Sequence, residues 1–162
     1  MMIRAYKYHG RTQLGPLLST WLADAVKAAP WFGRIEAVVS VPTHWRHRLG
    51  RPLYAADALA AIVAEKTGLP RIGVLRRVRG GPHQIGLSFT DRQTNIRGAF
   101  AGRRGVTMHG ARLLLIDDVK TTGATLNECA KMLRAGGAAE VFAAVVVTVG
   151  SDDPAARDLP LI

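Results

Sequence analysis

Apolar residues recur at helical spacing in three parts of the chain, and this pattern predicts three amphipathic helices. The first stripe comprises Leu14, Leu17, Leu18, Trp21, Leu22 and Ala25, so Trp21 is predicted to face the core. A second helix is predicted from about Pro52 to Gly68, with Leu59, Ile62 and Val63 inward. A third is predicted from Thr122 to Ala135, with Leu126, Cys129, Ala130 and Leu133 on one face. Gly136 and Gly137 supply its stop signal.

Short continuous apolar runs lie between these helices and predict strands that are buried on both faces. They occupy residues 37–42, 112–117 and 140–149, and a further strand is predicted to begin at 72–77. Strand, helix and strand follow one another between 112 and 149, which is the order of a βαβ unit. The sequence therefore predicts an α/β fold, a single-domain parallel sheet with helices on both faces. We expect this domain to span residues 1–150, followed by a loosely held tail at 151–162.

The stretch from Gly80 to Asn95 interrupts this alternation, because it is rich in glycine, proline and polar residues. Such a composition predicts a flexible loop or an extended hairpin near residues 76–100, with 96–100 as the returning arm.

Composition narrows the classes of protein and partner. The chain has 162 residues, 22 basic against 12 acidic, a formal net charge of +10 and one cysteine. The charge favours anionic partners, either phosphorylated metabolites or nucleic acid. No apolar run is long enough to span a bilayer, and the first eleven residues have no apolar signal segment, so we expect a cytoplasmic protein without membrane contact. A lone cysteine excludes an internal disulfide framework.

The segment "LLLIDDVKTTGAT", residues 113–125, carries the most specific chemistry. Asp117 and Asp118 follow an apolar strand, and ionised carboxylates accept hydrogen bonds from the hydroxyls of a vicinal diol. The next residues form the turn into a helix, whose first N–H groups can hold a phosphate. An Asp pair after a strand also occurs as simple turn chemistry, and threonine is a common helix cap. The order of strand, carboxylates, glycine turn and helix favours a ribose 5-phosphate site over those alternatives.

This segment resembles the phosphoribosyl pyrophosphate motif of type I phosphoribosyltransferases. The rest of the chain is similar to one branch of them, the competence-protein-F (ComF) family. The branch resemblance rests on "AYKYHGR" at 5–11, "VVSVPTHWRHRLGR" at 38–51 and "LRRVRGGPHQIGLSFTDRQTNIRGAF" at 75–100. The segment at 75–100 matches the branch especially well.

The resemblance implies a role for each matching position. Asp117 and Asp118 would bind the ribose, and with Arg77 they would form the catalytic group. The 5-phosphate would be bound by Lys120, Thr121, Thr122, Gly123, Ala124 and Thr125. Pyrophosphate would be bound by Thr43, His44, Trp45 and Arg46. The segment from Arg76 to Asn95 would close over the site.

The resemblance also implies a reaction, in which a nitrogen nucleophile displaces pyrophosphate from phosphoribosyl pyrophosphate with the help of Mg²⁺. Such an ion is held largely by substrate oxygens and water, so no direct protein ligand to the metal is assigned. A homodimer is a further expectation, because dimers are common among type I enzymes. The acceptor base has no recognisable code in the sequence.

Two departures from the branch leave a second function open. Many members carry an N-terminal zinc ribbon that this chain does not contain, and Arg51 to Ala55 reads "RPLYA" where the family usually has R-G-F-N-Q. The loss of the Asn-Gln pair bears on pyrophosphate binding. The alternative is a protein that binds phosphoribosyl pyrophosphate without catalysis, or a DNA-uptake accessory that binds single-stranded DNA through its basic surface.

Overall fold

The apolar runs of the sequence become the strands of a parallel sheet. A computed structural model describes residues 14–42, 56–78 and 96–148. In chain order the elements are α1 (Leu14–Ala28), a 3-10 turn (Phe32–Arg34), β1 (Ala37–Ser40), α2 (Ala56–Thr67), β2 (Leu75–Arg77), β3 (Phe100–Gly102), β4 (Arg112–Lys120), α3 (Ala124–Ala135) and β5 (Glu140–Thr148).

Strand β4 lies in the middle of a three-stranded parallel sheet with the order β1-β4-β5. Its side chains alternate between two apolar layers. Leu113 and Leu115 face α3, β2 and β3, whereas Leu114 and Ile116 face α1 and α2. Both faces of the sheet are thus covered, because a strand with no polar face must be buried on each side. The predicted α/β fold with helices on both faces is confirmed.

The hairpin predicted near residues 76–100 is confirmed in its two arms. Strands β2 and β3 pair antiparallel, with Leu75 opposite Gly102 and Arg77 opposite Phe100. This ribbon, residues 75–77 with 100–102, packs on the α3 side of the sheet through the buried residues Leu75 and Phe100. Residues 79–95 lie outside the described residues, so the prediction of a closing loop there stays a prediction. The same holds for the tail at 151–162.

Two element boundaries near Asp117 differ from the sequence-based ones. Strand β4 continues to Lys120 because Val119 and Lys120 still pair with β5, opposite Val147 and Thr148. Helix α3 begins at Ala124 instead of Thr122, because Gly123 takes a left-handed conformation with φ of 76° that ends the turn. Of the residues predicted to bind phosphate, Thr121, Thr122 and Gly123 therefore form a short turn, whereas Lys120 ends β4 and Ala124 and Thr125 begin α3.

The predicted core stripe of α1 is confirmed at Leu22 but wrong at Leu17 and Trp21. Trp21 is 57% exposed and Leu17 is 44% exposed, whereas Leu22, Ala23 and Val26 are buried. The buried face meets small side chains of α2 such as Ala60, so the two helices approach closely and accept small residues there. Both stripes have helical spacing, and periodicity alone cannot choose between them. Among the described residues, no helix combines the length and hydrophobicity that a bilayer crossing requires.

The burial of Trp31 and the exposure of Trp21 predict stability losses of very different size when each is replaced by alanine. Trp31 is buried and its ring stacks on Phe142 with centroids 4.9 Å apart. Trp31→Ala is expected to lower the free energy of unfolding by about 3–5 kcal/mol. Trp21→Ala removes the same side chain from an exposed site and should stay within about 0.5 kcal/mol of wild type. Urea denaturation measures both. Equal losses would contradict the observed orientation of α1.

Candidate functional site

The candidate site lies at the carboxyl ends of β1 and β4, where parallel sheets commonly bind ligands. The chain leaves β1 at Val41, whose N–H donates to the carbonyl of Ile116 over 2.9 Å. Val41 therefore runs directly beside the residue that precedes Asp117. Thr43, His44, Trp45 and Arg46, the predicted pyrophosphate residues, lie outside the described residues.

Asp117 and Asp118 are both half-buried in the carboxyl-terminal half of β4. One carboxylate oxygen of Asp117, Oδ1, accepts the backbone N–H of Asp118 over 2.8 Å. This bond fixes the orientation of the Asp117 side chain at the end of the strand. Two adjacent acceptors with restricted geometry suit the recognition of neighbouring hydroxyl donors.

The turn after β4 leads from the end of the strand to the start of α3. Thr121 is exposed, and the hydroxyl of Thr122 accepts the N–H of Ala124 over 3.2 Å. Gly123 occupies the cap position and has no side chain to satisfy the following N–H groups. Thr125 lies in the first turn of the helix. Such a helix start carries partial positive charge and donors, which suits a phosphate.

Lys120 supports this turn from below. Lys120 is only 3% exposed. Its Cε lies 3.2 Å from the position that a Cβ on Gly123 would occupy. The aliphatic stem of the lysine thus fills the space beneath the glycine, and only glycine fits there without displacing it. The structure therefore brings together Asp117, Asp118 and residues 120–125, as the sequence predicts, although their individual roles remain predictions.

Cys129 lies in the apolar cluster between α3, the sheet and the ribbon. It is fully buried on α3, and burial raises the pKa of its thiol, with the negative charges of Asp117 and Glu128 adding to the effect. The charge of Arg77 acts in the opposite direction. The cysteine is a neutral, buried side chain, as predicted, and not a nucleophile.

Arg77 is held by the ribbon on the α3 side of the sheet. Its side chain is half-buried, and its guanidinium carbon lies 5.5 Å from the centroid of the Phe100 ring. A cation over an aromatic face is stabilised by the ring quadrupole, which restricts where the arginine can reach.

A polar network beside the site was missed by sequence reasoning. The hydroxyl of Ser40 donates to Asp57 Oδ1 over 2.9 Å, and Arg71 Nη1 donates to the same oxygen over 2.7 Å. The network ties the end of β1 to the first turn of α2, on either side of residues 43–55. No local pattern in the sequence links these three residues, because the hydrogen bonds span 17 and 14 positions.

In the described ranges, no group of three or more His, Cys, Asp or Glu residues is arranged to hold a metal ion. Two adjacent carboxylates are the acidic groups that this end of β4 offers. That donor set suits a hard cation which keeps most of its ligands from substrate and water.

A family model for the phosphoribosyl transferase domain matches residues 53–161. The chain belongs to this family. It is 30% identical over 148 residues to a competence protein F of Haemophilus influenzae, covering 87% of this chain and 64% of that protein. It is 29% identical to the DNA utilization protein YhgH of Salmonella typhi, covering 87% of this chain and 63% of that protein. The chain thus spans less than two thirds of these relatives.

Other family members extend the similarity to enzymes. An adenine phosphoribosyltransferase of Mycolicibacterium paratuberculosis is 33% identical over 130 residues, covering 75% of this chain and 71% of that protein. The glutamine phosphoribosylpyrophosphate amidotransferase structure from B. subtilis has a TM-score of 0.54 and 25% identity, covering 83% of this chain and 26% of that one. An adenine phosphoribosyltransferase structure has a TM-score of 0.59 and 13% identity, covering 91% and 79%, and shows the shared fold. The predicted type I fold and the similarity to the ComF branch are confirmed.

The fit between Gly123 and Lys120 generates a prediction for the turn. Gly123→Ala should cost about 1–2 kcal/mol of stability, because a left-handed residue with a Cβ is strained. It should also push Lys120 aside and weaken binding of inorganic phosphate. Gly105→Ala is the control, since Gly105 has nearly the same φ of 75° with nothing within 4 Å of its Cβ position. Thermal denaturation and phosphate titration separate the two effects. Equal phosphate affinity in both variants would contradict this use of the turn.

Proposed function

We propose that this protein is a Mg²⁺-dependent phosphoribosyltransferase that uses phosphoribosyl pyrophosphate and a nitrogen nucleophile. One observation carries the proposal. The half-buried carboxylates Asp117 and Asp118 lie in the carboxyl-terminal half of β4, shortly before the glycine turn at 121–123 and the start of α3, in a chain of the phosphoribosyl transferase family. Diol acceptors beside phosphate donors match a ribose 5-phosphate.

The described residues would act mainly by binding and orienting the sugar. Asp117 and Asp118 accept hydrogen bonds from the two ribose hydroxyls. The backbone N–H groups after Gly123 donate hydrogen bonds to the 5-phosphate. The anomeric carbon is then fixed relative to the incoming nitrogen, which lowers the entropic part of the barrier. The new carbon–nitrogen bond forms as the carbon–oxygen bond breaks, and pyrophosphate leaves with the bonding electron pair. The nitrogen then loses its proton.

Charge on the leaving group requires positive groups nearby. Arg77 is the described side chain that we assign to this role, together with the segment from Thr43 to Arg46 at the end of β1. Mg²⁺, when bound through substrate oxygens near Asp117 and Asp118, would neutralise part of the pyrophosphate charge. Positive groups placed before the reaction stabilise the developing negative charge without further rearrangement.

Ligand-dependent stability tests the proposal. Phosphoribosyl pyrophosphate with Mg²⁺, at about 100 times its dissociation constant, should stabilise the protein by about 2.7 kcal/mol. At about 2–4 °C per kcal/mol, the melting temperature should rise by about 5–11 °C. Asp118→Asn should lose most of this rise, because an amide presents an acceptor and a donor where the carboxylate has only acceptors.

Asp24→Asn, an equal change of charge at an exposed position of α1, is the matched control and should keep the full shift. Release of pyrophosphate in the presence of a panel of bases then tests transfer. A wild-type protein that shows no shift would refute the proposal. A rise in melting temperature without release of pyrophosphate would indicate that the protein binds phosphoribosyl pyrophosphate without catalysing transfer.

A second candidate function is binding of single-stranded nucleic acid, and a specific observation favours it. In and beside the ribbon, Arg76, Arg97, Arg103 and Arg104 are exposed. None of the four forms an ion pair with a described residue, whereas Arg71 and Arg112 pair with Asp57 and Glu36. Exposed arginines without acidic neighbours suit the phosphates of an oligonucleotide.

Salt dependence tests this second function. For single strands, log affinity should fall by about 0.7 per neutralised phosphate against log salt. The double variant Arg103→Ala/Arg104→Ala should reduce that slope by about 1.4 if each arginine neutralises one phosphate. The double variant Lys27→Ala/Lys66→Ala removes the same charge from exposed helix ends and should keep the slope. Fluorescence anisotropy of a labelled oligonucleotide measures both, and no affinity at low salt would exclude this function.

A further inference from the structure

A single carboxylate joins the ribbon to α3. The backbone N–H of Gly98, two residues before β3, donates to Glu128 Oε1 over 2.8 Å. The Glu128 side chain is only 12% exposed, although it also lies 3.9 Å from Lys131 Nζ. Gly98 itself is exposed, but a hydrogen bond to an ionised acceptor is stronger than one between neutral groups. Glu128 therefore holds the turn that leads into β3.

The position of Gly98 is connected to Arg77 through two short steps of the ribbon. Ala99 follows Gly98, and its carbonyl accepts the N–H of Val78 over 2.8 Å. Phe100 comes next, directly opposite Arg77 in the antiparallel register, with the guanidinium 5.5 Å from its ring centroid. A shift of Gly98 would thus move both the strand partner and the aromatic support of Arg77.

Helix α3 also carries the glycine turn at its start. Glu128 lies one turn after Ala124, the first residue of the helix, so the phosphate turn and the contact to Gly98 belong to the same rigid element. The apolar contact of Phe100 and Leu75 with Leu126 and Cys129 brings the ribbon to α3 but is not directional. The hydrogen bond from Gly98 to Glu128 is directional and therefore sets how the ribbon is oriented on α3.

We propose that Glu128 is a positioning residue: by binding the N–H of Gly98 it fixes the ribbon on α3 and thereby places Arg77 relative to the ribose-phosphate turn. The proposal deepens the proposed function and rests on it. Sequence reasoning assigned no role to Glu128, since its partner is 30 positions away.

Hydrogen exchange tests the anchor without any substrate. Glu128→Ala should raise the exchange rate of the Gly98 amide by about tenfold or more, since a hydrogen bond to a charged group contributes about 1.5–3 kcal/mol. Glu128→Gln retains an oxygen acceptor and should recover most of the protection. Lys131→Ala removes only the ion pair, and Glu65→Ala removes an exposed glutamate from α2. Both controls should leave Gly98 unchanged.

Kinetics test the positioning of Arg77. Since Arg77 acts on the leaving group, Glu128→Ala should lower kcat by about tenfold with little change in KM for phosphoribosyl pyrophosphate. In an Arg77→Ala background, the same change should have almost no further effect, because the residue that it positions is gone. Glu128→Gln should restore kcat in the otherwise wild-type chain.

Each contrary result has a distinct meaning. Unchanged exchange at Gly98 in Glu128→Ala would overturn the anchor. An equal loss of kcat with and without Arg77 would show that Glu128 acts through α3 in general and would overturn the positioning role. A wild-type chain without transfer would overturn the positioning role together with the proposed function. The exchange measurement would still report the anchor in that case, so the two failures remain distinguishable.

Discussion

The burial of β4 on both faces is the constraint on which the rest of the structure depends. Leu113 to Ile116 are each fully buried, so this strand cannot contact water along most of its length. Its charged residues lie at its two ends, with Arg112 at the amino end and Asp117, Asp118 and Lys120 in the carboxyl-terminal half. Asp117 and Asp118 are half-buried at that end because they lie at the boundary between core and solvent. The position of Asp117 and Asp118 is thus a consequence of how the sheet is covered, and the parallel register with β1 brings Val41 to the same edge.

Helix α3 links the parts of the site that the sheet alone does not arrange. Its start follows the glycine turn that is proposed to bind a phosphate, and Glu128 accepts a hydrogen bond from Gly98 at the edge of the ribbon that carries Arg77. Between them Cys129 contributes bulk without charge, because burial and the neighbouring carboxylates raise the pKa of its thiol. A thiolate there would add negative charge beneath the turn that is proposed to receive a phosphate. A neutral sulfur keeps the local field favourable to an anion.

The central βαβ unit could be predicted from the sequence because its signals are local. The apolar run of β4, the adjacent carboxylates and the change to helical spacing lie within one short segment. The orientation of Trp21 could not be predicted, since α1 has two apolar stripes and the small residues of α2 decide which one is buried. The contacts of Asp57 and Glu128 were also beyond reach. They join residues 14, 17 and 30 positions apart, and such pairings are set by the tertiary fold.

The electrostatics of the site discriminate between the two kinds of anionic ligand. A carboxylate accepts hydrogen bonds but repels phosphate, so Asp117 and Asp118 would favour an anion only if it brings hydroxyl donors beside its phosphate. Phosphoribosyl pyrophosphate has two free neighbouring hydroxyls. A DNA strand has none within its chain, since its sugars lack the 2′-hydroxyl and use the 3′-oxygen in the phosphodiester. The end of β4 would therefore select a monomeric ribose phosphate, and an oligonucleotide would be left to the exposed arginines in and beside the ribbon. The hydrogen bond between Gly98 and Glu128 joins the ribbon to α3. A ribose phosphate at the end of β4 and an oligonucleotide on the arginines would therefore bind to parts of the protein that this bond connects.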